Sequence, residues 1–186
     1  MPEKMPPIEK VYEAYSAIAD ERIIMHDTYA LVKSSDGKKT YEVDWKDNVY
    51  SSSDNATYWQ GYPGYPVLAV LMLQGKLPYH KENAEKMKNV PWKKWNDQYK
   101  RDYAAAAERV FQELEEKGIS SQNIRTDAEA AMQALSGLDL TVRRGRLKHS
   151  EGQICTFGNA VNFSLTPILG HDILIGHLRK SASVEV

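Results

Sequence analysis

Two spacings of apolar residues divide the first half of the chain into predicted elements. Between residues 8 and 19, apolar side chains recur every three or four positions, which predicts an amphipathic helix. Residues 23–33, IIMHDTYALVK, predict a strand, and residues 39–45 alternate between apolar and polar, which predicts a strand with one buried face. The Asp36-Gly37 pair between them is a strong hairpin signal. We therefore expect a helix followed by an antiparallel hairpin.

From residue 66 to residue 135 the apolar spacing is mostly helical. Residues 66–74 are apolar nearly all round, so we expect a buried helix there that ends at Gly75. A longer pattern predicts one helix over 91–117, and a capping box predicts another over 127–135. Together these two helices make residues 91–136 the helical part of the protein.

The apolar stripe along the predicted helix 91–117 has two interpretations. Its gaps of three and four residues come close to a heptad repeat. The stripe either covers the sheet or lets two copies of the chain associate through this helix. The residues that form it are Trp92, Trp95, Tyr99, Tyr103, Ala106, Val110 and Leu114.

The end of the chain differs in character from the helical part. Residues 139–147 predict a strand or an extended arm, whereas residues 149–186 show no clear amphipathic period and carry scattered glycines. We expect residues 1–148 to form a single α+β domain with a small antiparallel sheet. Residues 149–186 are either a β-like appendage of that domain or a tail.

Composition narrows the class of protein without identifying it. The chain has 186 residues, of which 42% are apolar and 26% charged, and its net charge is −1. These values are ordinary for a globular protein and give no overall attraction to nucleic acid, so any such contact needs a local basic patch. The single cysteine, Cys155, excludes an internal disulfide framework and a cysteine-rich zinc site.

Localisation follows from two features of the sequence. The first residues lack the apolar core of a signal peptide. The longest strongly apolar run, Val67 to Leu73, is too short to span a bilayer. We therefore expect a cytoplasmic protein that has no membrane partner.

Residues 41–78 combine two short strands, a loop rich in Ser, Asn, Gly and Pro, and an apolar helix. This order resembles the ββα unit of SWIM-type zinc fingers. Tyr41 and Val43 match the strand of that family, and residues 67–71, Val-Leu-Ala-Val-Leu, match the start of its helix. The resemblance covers about a fifth of the chain. It implies a module that binds DNA or another protein.

The zinc ligands of the SWIM pattern are missing from this sequence. Ser51 and Ser53 stand where the family has Cys-x-Cys, and Gly64 and Pro66 stand where it has Cys-x-His. These side chains cannot replace thiolates and imidazole around tetrahedral zinc, so we expect a degenerate unit with no metal and no cofactor. We expect aromatic residues of the loop to fill the space and clamp it by burial instead. They are Tyr58, Trp59, Tyr62 and Tyr65.

The candidate contact residues come from two parts of the sequence. The densest basic run contains Arg143, Arg144, Arg146 and Lys148, and such a run can contact phosphates. A solvated loop is the alternative interpretation of this run. The loop aromatics Tyr58, Trp59, Tyr62 and Tyr65 could provide a second contact surface.

No catalytic signature is present in the sequence. It has no Gly-x-Ser-x-Gly, no His-Glu-x-x-His, no phosphate-binding glycine loop and no dinucleotide fingerprint. An enzyme using loop 51–66 as a pocket stays an open alternative. We expect a non-enzymatic binding or regulatory module whose partner is DNA, RNA or protein. The alternative is an assembly module that forms a homodimer through helix 91–117.

Overall fold

A computed structural model of the chain describes residues 2–145 and has an α+β fold. The strands are β1 (Ile23–Met25), β2 (Tyr29–Lys33), β3 (Thr40–Lys46), β4 (Val49–Ser52) and β5 (Thr141–Arg143). The α-helices are α1 (Glu9–Ala19), α2 (Tyr65–Leu73), α3 (Lys81–Glu85), α4 (Trp92–Gln98), α5 (Tyr103–Glu116) and α6 (Gln122–Gly137). A short π-helical segment, Ala56–Gln60, lies between β4 and α2. The predicted appendage or tail, 149–186, lies outside the described residues.

The five strands form one mixed sheet in the order β1-β2-β3-β4-β5. The first four strands pair antiparallel, with Ala30 opposite Val43 and Trp45 opposite Tyr50. The Asp36-Gly37 signal predicts the pairing of β2 with β3. The predicted α+β class is confirmed, and the predicted antiparallel sheet gains one parallel strand, because β5 runs parallel to β4 with Val142 opposite Tyr50. A tight hairpin forces antiparallel pairing, but β5 arrives after a long helical connection that permits either direction.

The predicted strand 23–33 is divided into two strands. Residues 26–28 form a turn, and β1 pairs antiparallel with β2 instead of continuing it. The backbone N–H of His26 donates to the carbonyl of Tyr29 at 2.9 Å, and the two rings stack 4.3 Å apart. This local closure at the polar residues 26–28 explains why residues 23–33 do not make one long strand.

Helix α1 lies at the centre of the fold. It packs against α2, α3, α5 and α6, and nine of its eleven residues are buried. Val11 and Tyr15 lie in the core, as the helical spacing predicts. Lys10 and Glu13 are buried too, at 6% and 5% exposure, which the same pattern does not predict. The N-terminal helix is therefore enclosed on nearly all sides.

Alkaline pH is expected to destabilise the protein through the tyrosines of α1. Burial raises the pKa of Tyr12 to about 12 and raises the pKa of Tyr15 well above its usual range. In the unfolded chain these phenols ionise near pH 10. The unfolded state therefore loses its protons first, so stability is full below about pH 10 and falls as the pH rises towards the folded-state values.

Denaturant unfolding of the full chain at a series of pH values between neutrality and about pH 12 measures this effect. The Tyr15→Phe variant is the informative comparison, because the Tyr15 hydroxyl is buried without a partner in the described part of the chain. This variant should keep its stability at neutral pH and show a smaller loss above pH 10. An unfolding midpoint that does not change up to pH 12 would contradict the prediction.

The prediction of a single helix over 91–117 is wrong, because two helices occupy this region. Helix α4 ends at Gln98, and Lys100 and Arg101 take left-handed backbone angles, φ 50° and 70°. Asp102 then caps α5 by accepting a hydrogen bond from the N–H of Ala105 at 3.0 Å. The apolar stripe of both helices nevertheless packs into a single core within the chain. Its buried members are Trp92, Trp95, Ala106, Val110 and Leu114.

The other predicted helices differ from the observed ones mainly at their ends. The buried helix predicted over 66–74 is confirmed as α2, and its residues from Val67 to Leu71 are fully buried. Helix α6 begins at Gln122, five residues before the predicted start, because Ile124 packs completely into the core. Across residues 2–145 no helix combines the length and the apolar character needed to cross a membrane.

Candidate functional site

The loop between β4 and α2 is held in one shape by hydrogen bonds around Asp54. This side chain is only 5% exposed, and its Oδ1 accepts from the backbone N–H groups of Ala56 and Thr57 at 2.9 and 3.2 Å. The hydroxyl of Thr57 accepts from the N–H of Gly64 at 3.0 Å, which ties the π-helical segment to the residue before α2. The Asp54 carboxylate also lies directly against Gly64, where a Cβ atom would stand 2.7 Å from Cγ. We call Asp54, Thr57 and Gly64 the loop clamp.

The four positions that correspond to zinc ligands in the SWIM pattern have structural roles in this protein. Ser51 is buried in β4, and the hydroxyl of Ser53 accepts from the N–H of Glu42 at 3.0 Å. Gly64 belongs to the loop clamp, and Pro66 is buried in the first turn of α2. Within residues 2–145 no group of three or more His, Cys, Asp or Glu side chains could hold a metal ion.

The expectation that four aromatic residues fill the loop is wrong for two of them. Tyr62 is 8% exposed and Tyr65 is half-buried, but Tyr58 and Trp59 are 39% and 67% exposed. The polar loop clamp takes the role that was assigned to the aromatics. Backbone N–H groups at the start of the π-helical segment need acceptors, and the Asp54 carboxylate supplies one. Tyr58 and Trp59 are thereby left on the surface.

The structure brings the start of the basic run to the loop that carries the exposed aromatics. The pairing of β5 with β4 places Arg143 beside Ser51, at the start of the loop. The guanidinium of Arg144 lies against Gly61, where a Cβ atom would stand 2.9 Å from Nη2. The rings of Tyr58 and Trp59 contact each other edge to face, with centroids 4.6 Å apart. We call Tyr58, Trp59, Arg143 and Arg144 the aromatic–arginine surface.

A further cation lies beside this loop. The ammonium of Lys4 is 3.5 Å from the carbonyl of Gln60 and 5.3 Å from the centroid of the Tyr62 ring. Arg146 and Lys148, the other two predicted contact residues, lie outside the described residues. The basic character near the loop therefore comes from both ends of the described chain.

The remaining two predicted aromatics, Tyr62 and Tyr65, line a cavity of about 480 Å³. Tyr41 and Tyr103 line it as well, so four tyrosines of the described chain contribute to its wall. We call this cavity the tyrosine pocket. It lies between α1, the β2–β3 hairpin, the loop and α4, and the loop thus contributes to the pocket as well as to the aromatic–arginine surface.

A buried ion pair from α1 forms part of the pocket wall. The Lys10 ammonium is 2.8 Å from Glu13 Oε1 and 3.7 Å from the centroid of the Tyr103 ring. Asn96 on α4 donates to the same Glu13 oxygen at 3.0 Å. Burial alone would lower the pKa of Lys10, but the charge and hydrogen bond of Glu13 outweigh it and the pKa is raised. Lys10 therefore stays charged at neutral pH.

Sequence reasoning did not identify Lys10, Glu13 or Asn96 as site residues. The available signal was weak: a Lys and a Glu three positions apart inside a helix whose other residues are mostly apolar. Such a pair is usually solvated, and only the packing of four other helices around α1 buries it. Asn96 becomes relevant because α4 ends early enough to face α1 across the pocket.

These observations define an α+β protein whose central loop carries an aromatic–arginine surface and also lines a polar pocket. Comparison with known families adds one finding: the family model described as "Uncharacterised conserved protein UCP014422" matches residues 3–141. The chain belongs to this family, and the match includes the whole of the loop, α1 and the pocket. No curated protein and no solved structure matches the chain.

Proposed function

We propose that the chain is a non-enzymatic module that binds single-stranded nucleic acid through the aromatic–arginine surface. The observation that carries this proposal is the contact of the Arg144 guanidinium with Gly61. This contact brings a cation that follows β5 to the loop that carries Tyr58 and Trp59, which is distant from it in the sequence. Aromatic rings flanked by cations are the elements with which proteins bind single strands.

The chemistry of this surface favours stacking with phosphate contacts. Trp59 is 67% exposed, which leaves its ring available to one base. Stacking of a base on an aromatic ring contributes about 1–3 kcal/mol. Arg143, Arg144 and Lys4 would contact phosphates, and such contacts weaken as salt rises. Since the net charge of the chain is only −1, this local set of cations would supply the attraction.

The proposal takes residues 41–78 as a degenerate SWIM-like unit. Strands β3 and β4 followed by α2 have the ββα order of that family. The loop clamp gives a physical reason why the loop could keep its shape without zinc, since hydrogen bonds from Asp54 and Thr57 close it. A homodimer through 91–117 finds no such support, because the apolar residues of α4 and α5 pack inside the same chain.

The test is binding of a fluorescently labelled single-stranded oligonucleotide, as DNA and as RNA, to the full chain across a salt series. Trp59→Ala should raise Kd at least about fivefold at every salt concentration, because a stacking platform is lost. Arg144→Ala should weaken binding and reduce the salt slope by about one. Lys117→Ala removes an exposed charge at the end of α5 and serves as the matched control, with no expected change.

Double-stranded probes separate this proposal from simple charge attraction. A duplex hides the faces of its bases, so it should bind more weakly and should not respond to Trp59→Ala. Equal binding of duplex and single strand, with no effect of Trp59→Ala, would contradict the stacking surface. No binding of any oligonucleotide at low salt would overturn the proposal as a whole.

A further inference from the structure

The tyrosine pocket has the dimensions and the lining of a small-molecule site. Its volume of about 480 Å³ is that of pockets which enclose a small organic molecule. The walls come from α1, the β2–β3 hairpin, the loop and α4, so residues far apart in the sequence converge on one space. The pocket is distinct from the aromatic–arginine surface, because neither Tyr58 nor Trp59 lines it.

The ion pair in the pocket wall is difficult to explain by stability alone. A buried salt bridge contributes little or nothing compared with apolar residues of the same size, because desolvation opposes the attraction. Lys10 and Glu13 have side chains only 7% and 6% exposed, and Asn96 is added to them as a third polar partner. A polar network of this kind inside a cavity is the arrangement that fixes the orientation of a bound ligand.

Polar atoms without partners concentrate around the same cavity. The described residues contain five buried side-chain atoms of this kind. Three of them, Asp54 Oδ2, Trp92 Nε1 and Asn96 Oδ1, belong to residues that line the pocket. Buried polar groups normally have hydrogen-bond partners, so each of these is a candidate for a contact with a ligand. The set contains two acceptors and one donor, which suits a molecule that carries hydroxyl groups.

The charge of the lining favours an anion. Among residues 2–145, five cationic side chains and three carboxylates line the pocket, and one further carboxylate, Asp20, pairs with Arg22 from outside the lining. Arg22 and Lys93 are paired with Asp20 and Asp97. Lys39 and Arg101 have no carboxylate partner in the described part of the chain, and both are exposed at the rim. Arg101 is placed there by the left-handed backbone that separates α4 from α5, with φ 70°.

We propose that the tyrosine pocket binds a small phosphorylated, hydroxyl-rich molecule, a sugar phosphate free or within a nucleotide. The phosphate is held at the rim by Lys39 and Arg101, since a guanidinium matches the geometry of phosphate oxygens. The hydroxyl groups lie deeper, against Asp54, Asn96 and the phenols. The inference does not rest on nucleic-acid binding, because the two sites use different residues.

The experiment is calorimetric titration of the full chain with ribose 5-phosphate, AMP, ribose and inorganic phosphate. We expect ribose 5-phosphate, AMP or both to bind with Kd below about 1 mM, and ribose and inorganic phosphate at least about tenfold more weakly. Equal affinities for the two phosphorylated probes would assign the site to the sugar phosphate. A tenfold preference for AMP would assign it to a nucleotide.

Two adjacent residues provide a matched pair of variants. Arg101→Ala should weaken binding of the phosphorylated probe about tenfold, because a charge-assisted contact with phosphate is lost. Lys100 is also exposed and also has a left-handed backbone conformation, φ 50°, but it does not line the pocket. Lys100→Ala should therefore leave Kd unchanged. Trp59→Ala should leave it unchanged too, which separates this site from the aromatic–arginine surface.

Three results would overturn the inference. The first is the absence of binding by both phosphorylated probes at millimolar concentration. The second is inorganic phosphate binding as tightly as ribose 5-phosphate, because the hydroxyl contacts would then contribute nothing. The third is equal weakening by Arg101→Ala and Lys100→Ala, which would indicate a diffuse charge effect in place of a site.

Discussion

Glu13→Ala is expected to destabilise the protein by about 3–5 kcal/mol, one of the largest effects of any single substitution in this chain. Glu13 is 5% exposed and is the carboxylate partner of Lys10, whose ammonium lies 2.8 Å away. Without Glu13 the ammonium stays buried next to the Tyr103 ring with no counter-charge, and the amide of Asn96 loses its acceptor. Removing one member of a buried pair leaves an uncompensated charge, which costs far more than the pair contributes.

Denaturant unfolding of the full chain at neutral pH measures this effect. The double variant Lys10→Met with Glu13→Leu is the control, because it removes both charges and fills the space with apolar side chains. Its free energy of unfolding should lie within about 1–2 kcal/mol of the wild-type value and well above that of Glu13→Ala. A loss below about 1 kcal/mol for Glu13→Ala would mean that water reaches Lys10 and that the pair is not buried.

The same ion pair should respond to pH in one direction. The pKa of Lys10 is raised in the folded state by Glu13, so the unfolded chain loses this proton first as the pH rises. The stabilisation is therefore fully present at neutral pH and is lost only as the pH rises through the raised folded value. It adds to the alkaline effect of Tyr12 and Tyr15, and Lys10→Met should remove its share.

Gly64→Ala is expected to destabilise the protein by about 3 kcal/mol or to displace the loop. The backbone of Gly64, at φ −72° and ψ 171°, is accessible to any residue, so no backbone strain is involved. The effect comes entirely from the contact with Asp54, because a Cβ atom would stand 2.7 Å from Cγ and 2.8 Å from Oδ2. The Asp54 carboxylate cannot move away without releasing the N–H groups of Ala56 and Thr57.

Unfolding free energies of four variants test this contact. Gly137→Ala is the matched control, since a Cβ atom there meets nothing within 4 Å, and it should be neutral or slightly stabilising. Asp54→Ala should itself cost about 1–3 kcal/mol, because buried N–H groups lose their acceptor. In the double variant the clash is gone, so its loss should be clearly smaller than the sum of the two single losses. Strict additivity would show that Asp54 and Gly64 do not interact.

The sequence alone determined those elements whose signals lie within a few residues. The Asp36-Gly37 turn places β2 and β3 in register, and Gly37 has the positive φ of 69° that such a turn requires. The continuous apolar run of α2 predicts a buried helix, and its residues from Pro66 to Met72 are buried. The sequence also shows that zinc ligands are missing at four positions of the SWIM pattern, because this depends on side-chain chemistry alone. These positions are Ser51, Ser53, Gly64 and Pro66.

Only the tertiary structure decided the break between α4 and α5 and the direction of β5. Apolar spacing continues from residue 92 to residue 114 because both helices pack on one core, so the pattern is the same with or without the left-handed residues Lys100 and Arg101. The direction of β5 depends on how the helical part returns the chain to β4. Neither choice leaves a periodic trace in the sequence.

The two candidate sites show the same division. Basic and aromatic residues can be recognised in a sequence, and Arg144 and Trp59 were found in this way. Contacts between distant segments decide the rest. They bring Arg144 to the loop at Gly61, and they bring Asn96 to Glu13, which lies 83 residues earlier. Local chemistry thus fixed which side chains are available to this protein. Burial, which the packing of helices around α1 creates, decided which of them meet in a pocket and which stay on the surface.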